Sequence, residues 1–372
     1  MTLKEYKLAA YHLVYLIRCA LNDKVPSEKM LKKMNFSNVH TVAETHFLSV
    51  MAAYAIESAG IDDERFMQDK LDGIRREILF NIERERLCAE FEKNHIWYVP
   101  LKGIIIKELY PHIGMRQMSD NDFLFDESKR EQVHDIFVKD GYEAEVYGVT
   151  NHDVYKKEPV YNFEMHIALA NRNNPKEVRK YYENVTERLV RDEGFKMRMT
   201  DEDFYIYVTA HAYKHYVSRG TGLRTLVDIY LLRDLYSTLD KDYLKKEMKK
   251  LGIYEYEKKS RMLAEKIFSG KAVSEEEKEM LNNYIFSSVY GTEDHLIENK
   301  FSHYNKSIIK YYFSRIFKPM LFVKSEYPFL REHKIFTPFM LVYMFLSRFF
   351  NTITKNRKNF VSEMKAVFKL KK

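Results

Sequence analysis

Glycine and proline, which interrupt helices, are scarce in this chain, and their scarcity limits the possible folds more than any other feature. The 372 residues include only 12 Gly and 8 Pro, while 45% of the residues are hydrophobic. An apolar fraction of this size supports a packed core, and the lack of breakers leaves room for long helices. The composition therefore predicts a helix-rich fold.

The middle of the chain departs from the helical pattern. Residues 1–94 have apolar positions at helical spacing, and the same spacing returns from Thr200 onward. Between them, His95–Leu101 is a short β-rich run, Asn121–Phe125 is predicted as a second short strand, and Val160–Leu169 alternates apolar with polar residues. The sequence thus predicts an α+β fold with a small mixed β-sheet. Its three parts are a helical N-terminal region over 1–94, an α/β core over 95–199 and an all-helical C-terminal domain over 200–372.

Positive charge is concentrated in a C-terminal basic tail. From Phe301 onward, 15 Lys and Arg stand against three Glu, a net charge of +12, which leaves −5 for the rest of a chain whose total is +7. Such a tail favours contact with an anionic partner, either nucleic acid or a membrane surface. A solvated helix face rich in lysine explains the same charges equally well.

Nothing in the sequence indicates passage into or across a membrane. No run of about 18 apolar residues occurs, so we expect no transmembrane segment. The first residues lack the pattern of a signal peptide. The two cysteines, Cys19 and Cys88, are not in a C-x-x-C motif, so neither a zinc site nor a disulfide framework is indicated. Low cysteine usage favours a cytoplasmic protein.

Two aspartates mark the most informative stretch. Alternate residues of a strand share one face, so Asp120 and Asp122 are expected to point the same way, with Cα atoms about 6.5 Å apart. Their carboxylates repel each other unless a cation lies between them, and Mg²⁺, with Mn²⁺ as the alternative, suits such oxygen ligands. Glu164, on the polar face of the alternating run, is predicted as a third ligand or a general base. His166 shares that face, either as a ligand or as a histidine satisfied beside the sheet.

The spacing of the two aspartates is weak evidence by itself. Asp201 and Asp203 repeat it in what is better interpreted as a helix start, because Thr200 supplies a capping signal. The D-x-D motif of sugar-nucleotide glycosyltransferases also fits the pattern.

Further motifs surround the aspartates. They are Leu101-Lys-Gly103, Tyr110-Pro111, Gly114-x-Arg116, Ser119-Asp-Asn-Asp-Phe-Leu-Phe125, Glu164-Met-His166, His211-x-x-Lys-His215 and Gly222-Leu-Arg224-x-x-x-Asp228. Together they resemble the signature of an uncharacterised bacterial nucleotidyltransferase family of the polymerase-β-like superfamily, over roughly residues 90–235. One departure is that Lys102-Gly103 stands where most of the superfamily carries Gly-Ser.

The resemblance implies a nucleotidyltransferase that moves a nucleoside monophosphate from an NTP to an acceptor hydroxyl with Mg²⁺ and releases pyrophosphate. The catalytic and metal-binding residues it implies are Asp120, Asp122 and Glu164. Lys102, Gly103, Arg116, His211 and Lys214 are the residues predicted to bind the nucleotide. The alternative for Arg116 is a structural salt bridge, and Arg224 is expected to pair with Asp228, one helical turn away.

The sequence leaves the acceptor open among tRNA, a protein, and a small-molecule or sugar hydroxyl. Two other functions also stay open. One is a catalytically silent nucleotide- or polyanion-binding protein that uses the basic tail, and the other is a D-x-D glycosyltransferase.

Overall fold

A computed structural model describes residues 1–171, 174–218 and 220–287. Within them the protein is a mixed α+β structure with fourteen α-helices, one five-stranded mixed sheet and one two-stranded sheet, so the predicted fold class is confirmed. Of the described residues, 1–171, 174–214 and 221–287 form one compact unit, and 215–218 and 220 fall in a second. The basic tail lies outside the described residues, and so does the part of the predicted all-helical domain beyond residue 287.

Five helices precede the sheet, as the helical spacing predicted. Thr2 caps the first helix, because its hydroxyl accepts from the Glu5 amide while the Glu5 carboxylate accepts from the Thr2 amide. The fifth helix begins after Asp63, whose carboxylate accepts from the Arg65 amide, and it ends before Asn94. These helices are α1 (Leu3–Leu21), α2 (Glu28–Leu31), α3 (Phe36–Thr45), α4 (Ser49–Ser58) and α5 (Glu64–Lys93).

The larger sheet has the order β1-β2-β5-β4-β3, and its strands β2 and β5 are parallel while all other neighbours are antiparallel. The run predicted at Asn121–Phe125 is strand β2, and the alternating run contains β5. Strand β4 and the small second sheet were not predicted. The strands are β1 (Tyr98–Pro100), β2 (Asn121–Phe125), β3 (Glu143–Val146), β4 (His152–Lys157), β5 (Tyr161–His166), β6 (Val190–Arg191) and β7 (Met197–Arg198).

One face of the larger sheet carries a hydrophobic core cluster. Phe123 on β2 and Phe163 on β5 are fully buried, and their rings stack with centroids 6.4 Å apart. Phe91 of α5 and Phe137 of the helix after β2 pack against the same cluster. Each such phenylalanine contributes on the order of 2–3 kcal/mol by burial. Because side chains alternate along a strand, Asp122, Glu164 and His166 are left on the opposite face.

The remaining helices lie between the strands and after them. Thr200 accepts a hydrogen bond from the Asp203 amide at 3.1 Å, so the predicted cap is present. Residues 223–238, within the region predicted to be helical, form two short helices. These elements are α6 (Gly103–Ile106), α7 (Arg130–Lys139), α8 (Lys176–Tyr182), α9 (Asp201–Ser218), α10 (Leu223–Leu231), α11 (Arg233–Thr238), α12 (Lys241–Lys250), α13 (Tyr254–Ser269) and α14 (Glu275–Phe286). Of the helices described, none is long and apolar enough to span a membrane.

Candidate active site

The pairing of β2 with β5 brings the predicted carboxylates together. Asp122 lies directly opposite Glu164 in the parallel register, and residues opposite each other in this way point to the same side of the sheet. Asp120 lies one residue before β2, at the edge of the strand to which the alternation argument applies. It is half-buried, and burial together with the negative charge of Asp122 raises the pKa of its carboxyl.

Asp122 is held by two nitrogen atoms that donate to the same oxygen. Lys102 Nζ and His166 Nε2 each lie 2.8 Å from Asp122 Oδ1. Burial alone would raise the pKa of this carboxyl, but the charge of Lys102 and the hydrogen bond from His166 outweigh burial and keep the pKa well below its usual range. Asp122 is therefore an ionised carboxylate inside the protein.

Glu164 sits in a less favourable place for a charge. Burial and the negative charges of Asp122 and Asp120 raise the pKa of its carboxyl to about 7. Its Oε2 atom lies 3.7 Å from His166 Nε2. Burial lowers the pKa of His166 in spite of the neighbouring carboxylates, which favours a neutral imidazole.

One group of donor atoms at this site could hold a divalent cation. The ligand atoms of Asp122, Glu164 and His166 all lie within 4.8 Å of one another. Two carboxylates and an imidazole are suitable ligands for a divalent metal ion. Asp120 lies beside this group without belonging to it. A second such group in the described residues, His40, Glu44 and Asp69, lies on the N-terminal helices and is partly exposed.

A sharp turn places Lys102 against Asp122. Lys102 has φ 40°, in the left-handed region that costs energy for a residue with a side chain, and α6 begins immediately after it. At Gly103, a Cβ atom would lie only 2.5 Å from Arg116 Nη1. The glycine is thus required for the packing of Arg116, and its predicted contact with a nucleotide stays a prediction.

Arg116 is buried and has a carboxylate partner. Its Nε and Nη2 atoms each donate to Asp228 at 2.9 Å, and Tyr110 donates to the same carboxylate at 2.7 Å. Asp228 was expected to pair with Arg224, which instead donates from Nη1 to the Gln117 carbonyl at 2.5 Å. Arg116 is therefore held by an ion pair while its Nη1 atom faces Gly103, and its predicted contact with the nucleotide stays a prediction.

Helix α9 places side chains near the carboxylates. Burial and the nearby charge of Lys102 lower the pKa of Lys214, and the negative charge of Glu164 partly opposes that shift. Burial raises the pKa of Tyr207, which also interacts electrostatically with Lys102 and Asp122. His211 lies between them on the helix, with its ring centroid 6.5 Å from that of Tyr207.

Sequence reasoning missed two aromatic side chains at the site. Tyr207 precedes His211 by four residues and Lys214 by seven, so helical spacing could have placed it on the same face. His152 lies opposite His166 in the β4–β5 pair, with ring centroids 5.1 Å apart. No sequence signal marked His152, because β4 itself is too polar to be predicted as a strand.

Comparison with known proteins gives one result that bears on this site. A model of a family described as uncharacterised nucleotidyltransferase matches residues 32–269, well over half of the chain. The match includes the turn at Lys102, both aspartates, Glu164, and helices α9 and α10. Neither the curated proteins nor the solved structures gave a match.

Proposed function

Because the chain belongs to the uncharacterised nucleotidyltransferase family, we propose that it transfers a nucleoside monophosphate from an NTP to an acceptor hydroxyl and releases pyrophosphate. The observation that carries this proposal is the pairing of Asp122 with Glu164 across β2 and β5, with Asp120 beside them. Three carboxylates close together in a buried site repel one another, and a bound cation would offset that repulsion.

The donor set fits a divalent cation, Mg²⁺ or Mn²⁺. Asp122, Glu164 and His166 present their ligand atoms within 4.8 Å of one another, and Asp120 adds a further carboxylate alongside. When bound, such a cation neutralises charge on the triphosphate and on the departing pyrophosphate.

Glu164 is the residue that we assign to proton transfer. Each residue of the donor group offers the cation one ligand atom, so the second carboxylate oxygen of Glu164 is left to accept a proton. In the proposed reaction, the acceptor oxygen bonds to the α-phosphorus while the bond from that phosphorus to pyrophosphate breaks. The proton of the acceptor hydroxyl passes to Glu164.

Three cationic side chains near the carboxylates would hold the phosphates. Lys102 contacts Asp122, Lys214 lies close enough to Lys102 for its pKa to be lowered, and Arg224 interacts electrostatically with Asp120. Positioning and charge neutralisation are the main requirements of nucleotidyl transfer, since little covalent chemistry falls to the protein. Arg116, paired with Asp228, would pack against Gly103 and hold that turn in position.

The test is transfer of label by the full-length chain. The protein is incubated with each α-³²P-labelled NTP, Mg²⁺ or Mn²⁺, and tRNA, protein or sugar acceptors, and both labelled product and pyrophosphate are measured. Asp122→Asn should lower the rate by roughly 10³-fold, about 4 kcal/mol of transition-state stabilisation. Asp201→Asn, which changes the exposed first acid of the other D-x-D, is the control and should keep full activity. Equal rates for wild type and Asp122→Asn would refute the assignment.

A further inference from the structure

His166 lies at the centre of the carboxylate group. It is two residues after Glu164 on β5, so both side chains point to the same face of the sheet. The neighbouring strand β2 places Asp122 on that face too. The imidazole is buried, with only 8% of the residue exposed, so its position is set by the sheet.

One nitrogen of this ring faces both carboxylates. His166 Nε2 is 2.8 Å from Asp122 Oδ1 and 3.7 Å from Glu164 Oε2. Asp122 Oδ1 already accepts from Lys102 Nζ at 2.8 Å, so this carboxylate does not depend on His166 for a positively charged partner. With its proton on Nδ1 instead, Nε2 is placed to share a cation with the two carboxylates.

Resting on the function proposed above, we propose that His166 is a nitrogen ligand of the catalytic cation, and that the site prefers Mn²⁺ to Mg²⁺. An all-oxygen group of carboxylates is suited to Mg²⁺, which binds imidazole poorly. A group of two carboxylates and one imidazole favours a transition metal, and Mn²⁺ combines tolerance of nitrogen ligands with affinity for phosphate oxygens. The preference for Mn²⁺ over Mg²⁺ therefore depends on the His166 side chain.

Pulsed electron paramagnetic resonance tests the ligand directly. Full-length, tag-free protein is loaded with one equivalent of Mn²⁺ without nucleotide, and the spin-echo modulation from imidazole ¹⁴N is recorded. Wild type should show this modulation and His166→Gln should lose it. His152→Gln is the matched control, because its ring lies 5.1 Å from that of His166 on the adjacent strand, and it should keep the modulation.

Calorimetry supplies a second measurement. Mn²⁺ should bind wild type at least about tenfold more tightly than Mg²⁺, and His166→Gln should lose about tenfold in Mn²⁺ affinity with little change for Mg²⁺. Asp122→Asn should weaken both ions.

The outcomes separate this inference from the proposed function. If Mn²⁺ binds in a manner that depends on Asp122 but shows no ¹⁴N modulation, His166 is not a ligand, while the cation-dependent function stands. If the modulation survives in His166→Gln and disappears in His152→Gln, the ligand is the wrong histidine and the inference is overturned. If neither ion binds in a manner that depends on Asp122, the function proposed for the carboxylates fails together with the inference.

Discussion

The two faces of strands β2 and β5 show opposite chemistry within the same few residues. On one face, Phe123 and Phe163 stack in a fully buried aromatic core. On the other, Asp122 and Glu164 face each other directly, and each raises the cost of ionising its neighbour. The register that places Asp122 opposite Glu164 places Phe123 opposite Met165 and Phe163 opposite Asn121, so the two phenylalanines share the other face because side chains alternate.

This difference indicates how stability and function are divided in the sheet. The aromatic face stabilises the pairing of the strands, whereas the carboxylate face opposes it in the absence of a cation. Lys102 offsets part of the repulsion through its contact with Asp122. The sheet can keep an unfavourable group of charges because its other face is packed.

Phe163→Ala should produce the largest loss of stability. It removes a fully buried ring from the aromatic face and leaves a cavity, so the free energy of unfolding should fall by about 3–5 kcal/mol. Urea denaturation measures the change. Ile78→Ala, on an α5 side chain that is 44% exposed, is the control and should change stability by less than about 1 kcal/mol. A loss for Phe163→Ala no greater than the control's would show that the aromatic face does not hold the strands.

The free energy of unfolding should depend on pH through His46, which lies directly after α3. This fully buried ring accepts from the Leu223 amide at Nδ1 and lies 3.3 Å from the Tyr6 hydroxyl at Nε2. Burial lowers its pKa from 6.5 to about 4. As the pH falls, His46 therefore takes up its proton at a higher pH in the unfolded chain than in the folded protein. The free energy of unfolding should drop by about 3 kcal/mol between pH 6.5 and 4.

Denaturation across that pH range checks the contribution of His46. His46→Gln, which can still accept from the Leu223 amide, should remove this part of the pH dependence. An unchanged pH profile in the variant would assign the effect to other groups.

Arg116→Lys should show that the ion pair between Arg116 and Asp228 stabilises the fold. Lysine cannot reproduce the two parallel hydrogen bonds to Asp228, so unfolding should become easier by about 2 kcal/mol. Arg65→Lys is the matched control, since Arg65 makes the same two-bond contact with Asp63 at the surface. There the loss should stay below about 1 kcal/mol. Equal losses in the two variants would mean that burial adds nothing to the Arg116 pair.

Glu164→Gln should have the smallest effect on stability and the opposite sign. It removes a negative charge that lies beside Asp122 and Asp120, so the cation-free protein at pH 8 should gain about 1–2 kcal/mol. The same variant should lose transfer activity. Denaturation in EDTA measures the gain, and Glu177→Gln, at an exposed position, should leave stability unchanged. A destabilised Glu164→Gln protein would contradict the view that the carboxylate face costs stability.

Local signals in the sequence determined much of the fold. Sparse breakers and helical spacing predicted the helices of residues 1–94, and Thr200 predicted the start of α9. The run Asn121–Phe125 is a strand as predicted, because its short apolar segment with two aromatic residues favours a buried strand. The alternation over Val160–Leu169 also assigned Phe163 and Glu164 to opposite faces.

Contacts between distant residues were harder to predict. Arg224 was expected to pair with Asp228 one turn away, but Arg116, more than a hundred residues earlier in the chain, makes that pair. Asn121 is polar yet completely buried, because Arg84 of α5 donates to its side-chain oxygen at 3.0 Å. Neither partner could be identified from spacing, since both come from separate elements.

The sequence by itself determined which residues could form a carboxylate site, and it left their roles as predictions. Only the tertiary structure decided that β2 and β5 pair in parallel with Asp122 opposite Glu164, and that Lys102 and His166 share one oxygen of Asp122. The physical reason is that side-chain alternation is a property of a single strand, whereas register and ion pairing depend on how separate elements pack.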